Sequence, residues 1–308
     1  MIKYRNFYSV MVHRDHFKNK FKMTLFALLI ILASSGNAQM YKGVLITEHK
    51  GTPVEYANVG IVGKNIGTAS NLHGQFELRI PTEHLRDSIR LSVIGYETIT
   101  FLISDFINRS NDTIFMKEKS YDIAEVVITP YTEIKFLGNR RKGLAAFFLT
   151  GSNENRGMEI GIILDPNDSK VFLKSLTLND VMIDFTFDNG KTYVEGKEVR
   201  DTMLFRLNLY NVTSKNEFEN IMTQPVFIKW NTDNFEQLKK IDISEHNLVI
   251  ENKVLLTLEF FDDVSARSII RFNGSFFGPN SYIRSTSQGN WKKQSNSVGI
   301  FVEAIMMK

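Results

Sequence analysis

The side chains of this chain that could do chemistry are few, and their spacing matches no established site. His13 and His16 stand in a basic N-terminal segment. His49, His73, His84 and His246 are scattered, without the H-x-H or H-E-x-x-H spacing that puts two imidazoles on one metal ion. G-x-S-x-G and S-x-x-K, which present an activated serine, are absent. Asp165-Pro166-Asn167-Asp168 and Asp262-Asp263 follow apolar runs and offer oxygens to a hard cation such as Ca²⁺. They lack the ligand spacing of a calcium loop, and Asp and Asn in turns bond their own backbone, so they read as turns. A hydrolase built from scattered acids would need two carboxylates facing each other across a cleft, which no spacing here displays. No catalytic residue, metal ligand or cofactor site is assigned, and the expectation is a protein that is not an enzyme.

One stretch offers binding chemistry. Gly274-Ser275-Phe276-Phe277-Gly278-Pro279-Asn280-Ser281-Tyr282, continuing to Trp291-Lys292-Lys293, mixes aromatics with Gly, Ser and Asn. Rigid aromatic faces beside polar groups suit a sugar ring or a peptide, and adjacent lysines favour an acidic one. The ligand-binding candidates are therefore Phe277, Tyr282, Trp291 and Lys292. The competing reading ends a core strand at Phe276-Phe277 and packs Trp291 beneath a loop.

These residues need a scaffold, and the sequence describes a β one. Between Gly43 and Met116, short apolar-alternating runs are each closed by a turn signal. Phe76, Leu78 and Ile80 alternate with Gln75, Glu77 and Arg79, the period of a half-buried strand. Ala57, Val59 and Ile61 form a second such face, and Leu91 and Val93 a third. Asn71-Leu72-His73-Gly74 lies between the second and third runs. It is expected to be a reverse turn between antiparallel strands, with Gly74 at positive φ. Ile89 to Ile103 reads as two strands joined at Gly95-Tyr96, with a helical turn at Phe106-Ile107 and a closing strand at Thr113–Met116. Gly51-x-Pro53-x-x-x-Ala57-Asn58-Val59, Gly67-Thr68, Asn71-x-x-Gly74-x-Phe76 and Gly95-Tyr96 resemble the carboxypeptidase-regulatory-like domain. The resemblance implies a small prealbumin-like β-sandwich. Such domains commonly extend the N-terminus of TonB-dependent outer-membrane receptors of Gram-negative bacteria, and occur in other envelope proteins. It covers about a quarter of the chain and does not reach a zinc peptidase domain.

Residues Met1 to Lys22 carry six Lys/Arg against Asp15 alone. The apolar run Leu25–Ala33 follows, then Gly36 and Ala38 at the positions a signal peptidase reads. The expectation is a signal peptide, 1–38, cleaved before Gln39. The alternative is a membrane anchor, for which the run is short, about 15 Å as a helix against a hydrocarbon core of about 30 Å. The chain has 37 Lys/Arg and 34 Asp/Glu; with six bases and one acid in residues 1–38, the remainder carries 31 against 33. The excess of base therefore belongs to the leader, and no clustered basic face suggests nucleic acid. With no cysteine, acylation at a lipoprotein cysteine, disulfides and thiolate metal sites are excluded. A small sandwich without them is marginal in burial and is expected to lean on its neighbour.

Tyr121-Asp122-Ile123-Ala124-Glu125-Val126-Val127-Ile128-Thr129-Pro130 is similar to the segment that leads into the plug of the receptors. About 180 residues follow it, too few for a barrel of 22 strands at roughly 10 residues each. It is read instead as an extended strand bridging two domains, continuing through Tyr131–Lys142 as a basic linker. Strands then resume from Gly143. Leu144–Thr150, Met158–Leu164, Val171–Leu178, the alternations at Val181–Phe187 and Phe205–Leu209, Val226–Trp230, Leu248–Glu251, Val254–Phe261, Ile269–Phe277 and Val298–Met306 are apolar runs. A helical turn is expected within Asp233–Lys240. Eight to ten antiparallel strands make a two-sheet, jelly-roll-like sandwich.

The organisation expected is all-β: a signal peptide over 1–38, a carboxypeptidase-regulatory-like domain over 39–120, a linker strand over 121–142 and a β-sandwich over 143–308. The function expected is a non-enzymatic secreted or envelope role in binding or assembly, with a glycan or peptide as ligand. The alternatives are an accessory component of a TonB-dependent receptor system and a secreted hydrolase. The partners expected are an outer-membrane receptor or an envelope glycan, with no nucleic acid and no transmembrane segment in the mature chain. The place expected is the periplasm, outer membrane or surface of a Gram-negative bacterium.

Overall fold

The computed structural model describes residues 38–109, 112–119, 133–141, 143, 145–150, 156–179, 182–187, 191–192, 202–214, 217–231, 240–261 and 267–307. The leader, the bridging segment 121–130, Asp262-Asp263 and the expected helical turn after Asp233 lie outside these residues. The described chain is almost all β.

Two sheets form the N-terminal sandwich. One has Ala38–Thr47 at its centre, antiparallel to Gln75–Pro81 and parallel to Thr113–Met116. The other runs Gly67–Ala69, Asn58–Ile61, Ser88–Ser92, Ile99–Leu102, all antiparallel. The alternation read at Phe76, Leu78 and Ile80 holds: all three are buried, with their polar neighbours exposed. They meet Val59, Ile61, Ile89 and Leu91 of the facing sheet, with Ile103 and Phe106 of the short helix Ile103–Ile107 closing one end.

The Asn71–Gly74 turn differs from expectation in what it joins. Its geometry is as read: the Gly74 N–H donates to the Asn71 carbonyl, and Gly74 has φ +71°. Asn71 Oδ1 accepts from the His73 and Gln75 N–H groups, both at 2.9 Å. The strands on either side, however, belong to opposite sheets. The turn is a corner of the sandwich, not a hairpin, and the Leu45 carbonyl lies where a Cβ on Gly74 would go.

The C-terminal part has more strands than expected, arranged among the described residues as sheets of seven, five and five. The seven-stranded sheet is built on Thr202–Ser214, Val254–Phe261, Met158–Leu164 and Ser281–Arg284, hydrogen-bonded in that order. The other two sheets are joined at one corner, where the chain crosses between them three times. Gly138 passes to Ala145, Leu178 to Met182, and Val298 to Ile300. The single apolar run Val298–Met306 is thus divided between sheets. Gly299 makes the last crossing: its N–H donates to the Asn273 carbonyl, and its carbonyl accepts from the Asn179 N–H. Asn179 Nδ2 reaches the Asn139 carbonyl at 3.2 Å, and Asn139 Nδ2 reaches Ser275 Oγ and the Ser297 carbonyl at 2.9 and 3.0 Å. Backbone leaving a ladder inside a core needs other partners, and two buried asparagines supply them.

Part of the range 131–142, expected as a linker, pairs with the C-terminal sheets. Ile134–Gly138 is a strand, antiparallel to Ile300–Met306. Leu137 enters the main core, and Lys135 Nζ donates to the Pro166 carbonyl at 3.0 Å. The basic residues concealed a short alternation: Arg140 lies over the Phe136 ring at 4.1 Å and covers apolar surface with its stem and charge.

Candidate functional site

The seven-stranded sheet has one apolar face and one polar face, and its central strands Met158–Leu164 and Val254–Phe261 are largely buried on both. Ile160, Ile162, Phe205, Leu207, Leu256, Leu258 and Phe260 face the core. Side chains alternate across a strand, so the intervening residues share the other face. Register then sets a straight row across four strands. Arg206 is opposite Glu259, Glu259 opposite Glu159, and Glu159 opposite Arg284. The next row is Asn208, Thr257, Gly161 and Tyr282.

Both carboxylates are fully buried, and Arg206 is 1% exposed. Two like charges side by side in a dry site are costly unless each has its own cation and donors. Arg206 Nε and Nη2 donate to Glu259 Oε2 at 2.9 and 2.6 Å, and Asn208 Nδ2 adds a third bond at 2.9 Å. Arg284 Nη2 donates to Glu159 Oε1. Thr257 Oγ1 and the Tyr210 hydroxyl donate to Glu159 Oε2 at 2.7 and 2.9 Å. Burial, and then the neighbouring Glu259 charge, raise Glu159 above the usual carboxylate range against the pull of Arg284. Burial, then the Glu159 charge, push the Tyr210 hydroxyl well above its ordinary value. Burial alone would lower Arg284, but Glu159, Tyr210 and Glu259 outweigh it and hold the guanidinium charged.

The N-terminal sandwich covers part of this face. The Tyr56 carbonyl accepts from Arg206 Nη1 at 2.9 Å. The Tyr56 ring packs on Phe261 and Phe227, centroids 5.1 and 5.3 Å away, and Tyr56 takes φ +54°, uncommon for a bulky residue. Ala69 packs with Leu204 and Phe261. On the other side, the loop after Arg284 reaches across. Ser287 Oγ donates to Asn58 Oδ1 at 2.8 Å, Gln288 Nε2 to Ser92 Oγ at 2.8 Å, and Asn290 Nδ2 to the Gly63 carbonyl at 2.6 Å. The Ser287 carbonyl sits where a Cβ on Gly60 or on its cross-strand partner Gly67 would go. Gly67, part of the resemblance motif, is thus needed for a close approach of the second sandwich.

Between these two contacts a cleft of about 660 Å³ remains open. Arg90, Ser92 and Tyr96 of the N-terminal sandwich line one wall. Phe218, Glu219 and Asn220, on the strand Glu217–Asn220 beside Tyr210, line the other, and Arg206, Tyr210 and Arg284 form the floor. Its size falls within the roughly 300–1,000 Å³ of small-molecule sites.

The structure separates the four sequence-chosen residues. Tyr282 is buried, edge-on to Phe218 at 4.9 Å. Trp291 is half-buried against Tyr210 and Phe218 at 5.5 and 5.6 Å, with the Arg284 guanidinium 4.7 Å from its ring. These two brace the residues that line the cleft. Lys292 is exposed on the strand paired with Ser281–Arg284. Phe277 is 77% exposed in a different neighbourhood, where its carbonyl accepts from Ser275 Oγ. The ordering Phe277-to-Trp291 in the sequence therefore does not make one surface. Sequence reasoning misses Arg206, Glu259, Glu159 and Arg284. A polar residue alternating with apolar ones reads as a wet face, and the signal against that reading is a glutamate inside Val254–Phe261 and another at the second position of Met158–Leu164, strands otherwise almost wholly apolar. Among the turn acids, Asp165 Oδ1 accepts from the Asn167 N–H at 2.9 Å, and Lys253 pairs with Asp165 at 3.0 Å.

Fold and site define a two-sandwich all-β protein with a polar cleft between the sandwiches. Residues 41–128 match the CarboxypepD_reg-like domain family, bearing out the resemblance read from Gly51 to Tyr96. No curated protein matches the chain in sequence. Among solved structures it is similar to a chain from one described as "Structure of infectious bursal disease virus Gx strain", at 10% identity, over 88% of this chain and 78% of that one, with a TM-score of 0.18. A likeness at that score carries no argument. No helix among the described residues is long and apolar enough to cross a membrane.

Proposed function

We propose that this is an exported, non-enzymatic envelope protein that binds a ligand between two β-sandwiches fixed against each other. The observation that carries the reading is the buried row Arg206–Glu259–Glu159–Arg284 beside an open cleft. Every cation of the row is paired to a carboxylate, which holds the floor rigid without reserving a free acid or base for proton transfer. Preorganised walls suit binding. The CarboxypepD_reg-like match over 41–128 supports an envelope setting, and Gly36 and Ala38 support export with Gln39 as the new N-terminus.

The experiment is expression of the whole chain in a Gram-negative host, followed by fractionation, N-terminal sequencing, and affinity sedimentation with envelope polysaccharides and peptides. The expected result is a periplasmic or outer-membrane protein beginning at Gln39 that is retained and leaves its ligand intact. Retention in the cytoplasm, or release of shortened products, overturns the reading. Co-purification of a large barrel protein in place of any retained ligand would favour the accessory role in a receptor system.

A further inference from the structure

The charges around the cleft determine what could enter it. Arg206 and Arg284 are neutralised by Glu259 and Glu159, and Glu97 is paired with Lys117 at 2.6 Å. Arg90 on the N-terminal side then faces Glu219 on the other, a balance that attracts neither a polyanion nor a polycation. The remaining lining is hydroxyl, amide and aromatic: Ser92, Thr98, Asn220, Tyr96 and Phe218. Planar charged and amide side chains make paired hydrogen bonds to neighbouring hydroxyls, and ring faces stack on the apolar C–H side of a sugar. Arg90 is half-buried and Glu219 exposed. Neither has a side-chain partner among the described residues, so both are available to a ligand.

We propose that the cleft binds an uncharged oligosaccharide, held between Arg90 and Tyr96 of the N-terminal sandwich and Glu219 of the C-terminal one. The proposal rests on the binding reading above and narrows it to one ligand class and one place. A site divided between two sandwiches also gives their fixed docking a purpose, since neither wall alone encloses a ring.

The test is calorimetric titration of the mature chain, residues 39–308, with three panels: neutral oligosaccharides of glucose, mannose, xylose and N-acetylglucosamine; uronate oligosaccharides; and mixed short peptides. The Arg90→Ala/Glu219→Ala double variant and Tyr96→Phe follow, each with its thermal midpoint measured. The expected result is saturable binding of a neutral oligosaccharide, at least tenfold weaker in the double variant at an unchanged midpoint. Tyr96→Phe keeps the ring and should bind within about threefold of wild type, which separates a stacking role from a hydroxyl contact. Neutral binding that the double variant leaves unchanged overturns the cleft as the place while the binding reading stands. Binding confined to uronates or peptides overturns the ligand class. Binding of nothing in any panel overturns the binding reading itself.

Discussion

Arg206 joins two structures at once. Three of its nitrogens are bonded, two to Glu259 and one to the Tyr56 carbonyl of the other sandwich. Removing one partner of a buried ion pair strands the other charge, at a cost of roughly 3–5 kcal/mol, whereas replacing both with apolar residues of similar volume is often neutral. Arg206→Met should therefore lower unfolding stability by about 3–5 kcal/mol, and Arg206→Met/Glu259→Leu should recover most of it in chemical denaturation. Glu159 gives a prediction in pH. Its pKa is raised in the folded protein by burial and by Glu259, so the native state holds its proton at pH values where the unfolded state has lost it. Its contribution to stability is then fully present below the unfolded value and lost as pH rises through the folded one. Glu159→Gln removes that titration. The stability of wild type relative to Glu159→Gln should rise as pH falls from 7 toward the ordinary glutamate range; a flat or opposite trend would mean that Arg284, not burial, governs this carboxyl. Gly74 shows the same reasoning for backbone. It needs φ +71° and has the Leu45 carbonyl against its α-carbon. Gly74→Val should cost more than the roughly 1–2 kcal/mol of left-handed strain alone, read as a lowered denaturation midpoint.

At the scale of elements, the corner at Gly138, Asn139, Asn179 and Gly299 is where the C-terminal part departs from a simple two-sheet sandwich. Strands change sheets there, and the freed backbone groups bond to one another and to the two asparagines. A Cβ on Gly299 would crowd the Asn273 carbonyl and the Asn179 side chain. Gly299→Val should open this corner first, so amide exchange at Asn139, Asn179 and Ile300 should accelerate well beyond that in the Met158–Leu164 strand. Uniform acceleration would mean that the corner has no separate role. The strand Ile134–Gly138 carries its own consequence. Lys135 is bonded to Pro166 and paired in a ladder with Ala304, so trypsin should spare Lys135 under native conditions, as peptide mapping would show.

For the whole molecule, the decisive contact is the one between sandwiches. The N-terminal sandwich has its own core, Leu45 through Met116, and its Tyr56 and Ala69 cover the polar face of the seven-stranded sheet at Arg206 and Leu204. Small sandwiches are marginal in the fraction of surface they bury, so each part gains by docking. Gly67→Val would push the Ser287 carbonyl away and separate the two. Small-angle scattering should then show a larger radius of gyration, and the Thr202–Ser214 and Val254–Phe261 strands should lose exchange protection along their outer face. A variant as compact as wild type would show that the loop after Arg284 can shift without loss.

Local terms were legible in the amino-acid order alone. Alternation at Phe76–Ile80, the apolar runs at Met158–Leu164, Val171–Leu178 and Val254–Phe261, and turn chemistry at Asn71–Gly74 are short-range consequences of side-chain period and φ preference, and each appears with nearly the boundaries read. What lies on the far side of each element depends on packing between segments distant in the chain. A strand states which residues share a face, but not whether that face meets water or another sheet. Arg206 alternates with Phe205 and Leu207 as a solvated edge would, yet it is buried, with the Tyr56 carbonyl of a sandwich distant in sequence on its guanidinium. Register brought Glu159 to Glu259 and Arg284 from separations of 100 and 125 residues. Tyr282 and Trp291 were legible as aromatics on a loop, but whether they stack on a ligand or brace a floor depends on Tyr210 and Phe218, which long-range pairing alone places beside them.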